Sequence, residues 1–306
     1  MNAQSRAAAP TGNIYDLGYR HYDGAHHGRW YAVWSLYVES MRSVWGFGRP
    51  MTAKAAPFIL AGLYALPALF QLAFSSFISQ DLASGQSPRL WSYDNYFGQV
   101  SFFIVLFCVA QAPELVCRDQ RYHVLPLYFT RALGRVDYAM ARLAALATAL
   151  FLALMVPMVF LFVGDVLMKP DTLQAIGDEW PKALPAVPAY ALAAVSLASI
   201  SLALSSFSPR RAYAAIGLIA YFLLMEIVPV VIYSVGQQAN WSWADKLVLL
   251  TPNTSLYAAA NWFFGMALNS EGYPSTISSG TYVLAVLASV VIFTTTLLLR
   301  YRRIPA

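Results

Sequence analysis

Long uncharged stretches recur along this chain, separated by short charged segments. No Asp, Glu, Lys or Arg occurs in 55–80, 95–113, 143–164, 183–209 or 272–299, and 212–236 is interrupted by Glu226 alone. Each stretch is at least as long as the roughly 18 to 20 apolar residues needed to cross a hydrocarbon core of about 30 Å. Backbone exposed to lipid must close its hydrogen bonds within its own segment, so each stretch predicts a helix. The expected fold is an all-α membrane protein with six transmembrane helices, at about 56–78, 96–116, 139–167, 183–206, 211–236 and 277–299.

Two further elements carry a different pattern. Trp30, Val33, Trp34, Tyr37, Met41, Val44 and Trp45 fall at three- and four-residue spacing, while Ser35, Glu39, Arg42 and Ser43 take the remaining arc. That predicts an N-terminal amphipathic helix over about 30–45, with aromatic residues suited to the headgroup boundary. The connection 237–275 contains an apolar run at 257–268, with Trp262, Phe263 and Phe264, that is too short to cross and predicts a re-entrant or interfacial piece before the last span. Thr251, Pro252 and Asn253 are expected to form its turn.

Charge placement orients the expected bundle. Charged residues are 11% of the chain, against about 25% in ordinary soluble domains, and the mean hydropathy is +0.52. Of the 20 Lys and Arg residues, all but Arg89, Lys169, Lys182 and Lys246 fall on one side of the alternating spans. By the positive-inside rule that side is cytoplasmic. The expected layout is a cytoplasmic N-terminal segment 1–54, a transmembrane domain 55–299 and a cytoplasmic tail 300–306. The net charge of +5 therefore belongs to the membrane topology, and no nucleic-acid partner is expected. Residues 1–54 lack the apolar core of a cleavable signal, so the first span is expected to act as the insertion signal. Cys108 and Cys117 fall within the second span and at its cytoplasmic end, which implies packing and no disulfide framework.

The most chemically marked stretch is the second cytoplasmic connection, 114–142. Glu114 and Arg118 stand at i and i+4, in the favourable order for a helical ion pair, and Asp119, Arg121, Arg131 and Arg135 follow. The pattern predicts a short polar helix, a break around Leu125 and Pro126, and a re-entering helix that starts near Asp137 and is N-capped by it. Positive-inside charge and headgroup contact account for the arginines. The accompanying Asp119, Asp137, Leu125, Leu127, Tyr128 and Phe129 make a mixed surface better suited to docking a protein.

Read together, these residues resemble a known family. The segment 14–24 (Ile-Tyr-Asp-Leu-Gly-Tyr-Arg-His-Tyr-Asp-Gly) precedes the amphipathic helix and six spans, and Ala112-Pro113-Glu114-Leu115 through Arg118-Asp119 is followed by Leu125-Pro126-Leu127-Tyr128, Arg131 and Arg135-Val136-Asp137-Tyr138. In order and content this resembles the ABC-2 type permeases, membrane subunits of bacterial ATP-binding-cassette exporters. The resemblance implies that the amphipathic helix is an elbow, and that Glu114, Arg118, Asp119, Arg121, Tyr128, Arg131 and Arg135 form a coupling loop for a separate cytoplasmic ATPase. It also implies a bacterial plasma (inner) membrane, a second permease subunit, identical or homologous, and ATP with Mg bound by the partner ATPase.

The remaining chemistry is sparse. The phosphate-binding pattern G-x-x-x-x-G-K-[ST] has no match in the sequence, so no cofactor is expected in this chain. The four histidines, His21, His26, His27 and His123, all fall outside the spans, and no enzymatic or metal-bound function is expected. Ser196, Ser199, Ser201, Ser205 and Ser206, among alanines, predict close helix packing. A non-ATP-driven secondary transporter or assembly scaffold is the alternative, although secondary transporters usually carry internal repeats and several midplane charges. Only Glu226 lies well inside a span. Either it faces a protein-lined cavity or dimer interface, or its helix ends early and it reaches the outer headgroups. Aromatic residues such as Tyr64, Phe70, Phe74, Tyr221 and Phe222 suit a lipophilic or amphipathic cargo, and equally suit contact with lipid.

Overall fold

The computed structural model describes residues 28–48, 51–79, 93–129, 133–169, 171–266, 274 and 277–303. These residues are helical and contain no strand. In chain order the helices are α1 (Arg29–Val44), α2 (Met51–Ser79), α3 (Tyr96–Arg121), α4 (Leu125–Phe129), α5 (Arg135–Leu167), α6 (Thr172–Ala183), α7 (Ala186–Ser205), α8 (Arg211–Gln238), α9 (Ala244–Leu247), α10 (Pro252–Phe263) and α11 (Ser279–Arg302), with a 3-10 turn at Val248–Leu250. Six helical stretches are long and apolar enough to cross a membrane. This is a multi-pass membrane protein.

Most spans extend past the apolar runs that predict them. α3 continues to Arg121 and α5 begins at Arg135, because good helix formers carry the hydrogen-bond ladder beyond the hydrocarbon limit. The fourth span is divided. Leu184 and Pro185 separate α6, with Leu173, Ile176 and Trp180 exposed on one face, from the straight apolar α7.

α7 is the centre of the packing and touches α3, α5, α8, α10 and α11. Its serines and alanines are the reason. Ser196, Ser199, Ser201, Ser205 and Ser206 are all buried, with Ser199 and Ser206 donating back to the carbonyls of Ser196 and Ala203 at 2.8 and 2.6 Å. Small side chains let neighbouring backbones approach closely. Cys108 is buried in this core, and the Cys117 thiol donates to the Ser205 carbonyl at 3.5 Å. In contrast, α2, α8 and α11 turn most of their apolar surface outward.

α2 and α5 meet where Gly164 offers no side chain. A Cβ at Gly164 would stand 2.2 Å from Leu72 Cδ2 and 2.8 Å from Leu72 Cδ1. Gly164→Val is therefore expected to destabilise the protein by about 1–3 kcal/mol through overpacking. Thermal unfolding in detergent measures this, and an unchanged midpoint would show that α2 can move aside freely.

The segment 114–142 folds differently from its pattern: α3 runs unbroken through Pro113 to Arg121 in place of a separate short polar helix, the break falls at 122–124, and Leu125 and Pro126 begin α4 instead of breaking the chain. The helix α5 starts two residues before Asp137, with Gly134 in extended conformation as its N-cap. Asp137 is the third helical residue, and its carboxylate accepts the Gly134 N–H at 3.0 Å. It acts as the acidic half of a capping box and not as the cap itself, since an acid at that position can reach back to the orphan amide.

Candidate functional site

At one end of the bundle α3, α4, α5, α1 and α11 converge, and the arginines gather there. The chain turns sharply after α3 because His123 takes a left-handed conformation (φ 51°). The N–H of Val124 then bonds the Asp119 carbonyl at 3.2 Å and that of His123 bonds the Gln120 carbonyl at 3.3 Å. This is a Schellman ending, which satisfies the last carbonyls of α3. It also aims the five-residue α4 across the end of the bundle.

Beneath α4 lies a buried polar knot. Arg142, 6% exposed, pairs with Asp119 Oδ2, which also accepts the Tyr138 hydroxyl at 2.6 Å. The same guanidinium donates to Ser40 Oγ at 3.0 Å, tying α5 to α1. The Arg142 Cζ stands 5.2 Å from the Tyr138 ring centroid, and that ring packs against Tyr128, Phe129 and Tyr301 at 5.6, 6.2 and 5.2 Å. Gln120 adds a bond to the Ser206 carbonyl at 3.0 Å. A buried charge persists only where it is paired and hydrogen-bonded. Here one arginine braces three elements.

The remaining predicted residues spread around this knot. Glu114 bonds Arg211 across to α8 at 2.7 Å, a pair between spans that i, i+4 spacing does not suggest. Arg135 donates to the Arg302 carbonyl at 3.2 Å and lies 5.8 Å from the Phe129 ring centroid. Arg121 is exposed beside Tyr122. Burial and the nearby Asp119 carboxylate push the Tyr128 phenol above its ordinary pKa, so it stays neutral. Arg131 and the segment 14–24 lie outside the described residues. Beyond the predicted set, Arg29 grips Asp137 through two bonds of 2.7 and 2.6 Å. The sequence offers few signals for Arg142, Tyr138, Ser40 and Tyr301, except that Tyr138 and Arg142 share a face one turn apart.

Glu114, Arg118, Asp119, Tyr128 and Arg142 line one open cavity of about 770 Å³, completed by α1 residues including Glu39 and Arg42. A second recess of about 370 Å³ continues it past Arg121 to Arg211. Among the described residues, no three His, Cys, Asp or Glu side chains converge as a metal-ligand set.

Glu226 sits at a separate place. α8 continues for three turns beyond it, to Gln238. Its carboxylate accepts the N–H groups of Asn253 and Thr254 at 3.0 and 3.1 Å, and also the Thr254 hydroxyl. Thr251, Pro252 and Asn253 are thus the beginning of α10 and not a free turn. An anion from α8 completes the N-terminus of α10, where orphan amides and the helix dipole favour negative charge.

None of the curated proteins matches this chain. The family described as a protein of unknown function (DUF2705) matches residues 58–304, which runs from within α2 through α11 and takes in the Glu226 site and the α3, α4 and α5 residues of the polar knot, while the α1 residues of the knot and cavity lie before it. The chain therefore belongs to the DUF2705 family.

Proposed function

We propose that this chain is the membrane-spanning subunit of an ATP-driven exporter of the ABC-2 permease type. Two permease subunits work with two separate cytoplasmic ATPases, which bind the ATP and Mg. The observation that carries this reading is α4, a short helix held at the arginine-rich end between the second and third spans, beside the amphipathic α1. Such a helix suits the docking of a partner that must push on the bundle. Its mount supports transmission: the α4 ring Tyr128 packs at a tilt against Tyr138, and the Asp119–Arg142–Ser40 chain joins α3, α5 and α1. A displacement of α4 is then passed to several spans instead of being absorbed locally.

In this mechanism ATP binding closes the ATPase pair, moves α4, and switches the spans between inward- and outward-facing states. The cargo is lipophilic or amphipathic, in keeping with the aromatic, outward-turned surfaces of α2 and α8. Both termini are cytoplasmic, α1 lies along the cytoplasmic leaflet, and α10 is the re-entrant piece on the outer side.

Arg121→Glu and Tyr128→Ala test the docking surface. A charge reversal removes steering and an aromatic truncation removes an anchor, so ATPase association is expected to fall by about tenfold or more. Membrane insertion should persist, most clearly for the exposed Arg121. A secondary transporter or a scaffold predicts no effect on any ATPase. Normal association and full transport in both variants would remove this loop from the mechanism.

A further inference from the structure

The 770 Å³ cavity between α1 and the α3–α4 corner has charged walls of which the described residues pair only a part. Its acids Glu114 and Asp119 are engaged by Arg211 and Arg142. Arg42, Arg118 and Glu39 also line it, all three exposed, and among the described residues their side chains make no ion pair or hydrogen bond. Two guanidinium groups and one carboxylate are left to serve something else.

Depth and rim narrow what that is. Along α3, Glu114 lies about 27 Å from Tyr96 and Tyr122 about 39 Å, which brackets the edge of a hydrocarbon core of about 30 Å. With the expected span 96–116 in the hydrocarbon, the cavity opens at headgroup level. Its rim carries Phe47, Tyr122 and Leu127, more than half exposed, a surface suited to acyl chains. A ligand that fits presents a phosphate to arginines, an N–H cation to a carboxylate and hydrocarbon to the rim.

We propose that this cavity binds the headgroup of an aminophospholipid, with Arg42 and Arg118 holding the phosphate and Glu39 the primary ammonium. Arginine matches phosphate through its planar fork of donors. A quaternary ammonium has no N–H to give Glu39, so phosphatidylethanolamine is preferred over phosphatidylcholine. This assignment is independent of the ATPase reading, since it concerns the isolated chain in its bilayer.

The test is lipid retention by the purified full chain in detergent, read by native mass spectrometry after adding phosphatidylethanolamine, phosphatidylcholine or phosphatidylglycerol of matched acyl chains. Loss of one charge-assisted bond weakens binding by about tenfold. Wild type should prefer phosphatidylethanolamine over phosphatidylcholine by about that factor. Glu39→Gln should abolish the preference, and Arg42→Gln with Arg118→Gln should weaken all three lipids. Arg302→Gln with Arg303→Gln, exposed arginines outside the cavity, should change nothing. Equal retention of all lipids by wild type, equal losses in the control variant, or displacement by inorganic phosphate at the same concentration as lipid would each overturn the assignment. Among the described residues the substituted side chains make no ion pair or hydrogen bond, so monodisperse gel filtration and an unchanged melting temperature are expected throughout.

Discussion

Asp119→Ala is expected to destabilise the protein by about 3–5 kcal/mol, the largest single loss anticipated here, because it leaves a buried guanidinium without its carboxylate. Arg142 is 6% exposed, and its other contacts are the neutral Ser40 hydroxyl and the Tyr138 ring. The loss is not confined to one pair. Asp119 also accepts the Tyr138 hydroxyl, so its removal loosens the aromatic cluster that carries α4 on α5 and α11. Expression in membranes and thermal unfolding in detergent measure the effect. Asp119→Leu combined with Arg142→Met should cost distinctly less than Asp119→Ala alone, since replacing a whole buried pair by apolar side chains leaves no orphan charge. A double variant as damaged as the single would mean that the charges serve something beyond their mutual pairing.

Glu226→Ala has the second largest expected effect, about 2–3 kcal/mol, from two amides and a hydroxyl that lose an ionised acceptor. The loss should be local. Hydrogen exchange is expected to speed up at the start of α10, around 252–256, while α3, α5 and α7 keep their protection. Glu226→Gln retains a carbonyl acceptor and should show a smaller change in the same residues. If exchange at the α10 terminus is unaltered in the alanine variant, the carboxylate is not what holds α10 against α8.

The six spans were legible because an uncharged run of 18 or more residues leaves few alternatives to a membrane helix. The amphipathic α1 was legible for a similar reason, through the three- and four-residue spacing of Trp30, Val33, Trp34, Tyr37 and Met41. α6 was not. The expected spans 139–167 and 183–206 leave it between them with no element assigned, although Leu173, Ile176 and Trp180 repeat at helical spacing and Asp171 caps the Gln174 amide at 3.3 Å. Boundaries moved because charged residues extend helices past the apolar run, which hydropathy does not register.

The polar contacts were the least legible part. Arg142 reads as one more inward-side charge until the fold places Asp119, Ser40 and Tyr138 around it. Glu226 stood out as an ion in an apolar run, but its partners lie 27 and 28 residues away, beyond any local periodicity. Asp137 was visible as a helix-start residue, and the error lay in its position within the motif, which depends on Gly134 adopting an extended conformation. Pairings across helices depend on packing, and one sequence carries little record of it.

The most direct measurement of the central claim is affinity purification of the full chain from its native membrane with identification of the proteins that come with it. The permease reading predicts a stoichiometric ATPase carrying G-x-x-x-x-G-K-[ST], present with the wild-type chain and depleted with Arg121→Glu. Active transport by a purified chain that retains no nucleotide-binding partner would contradict it.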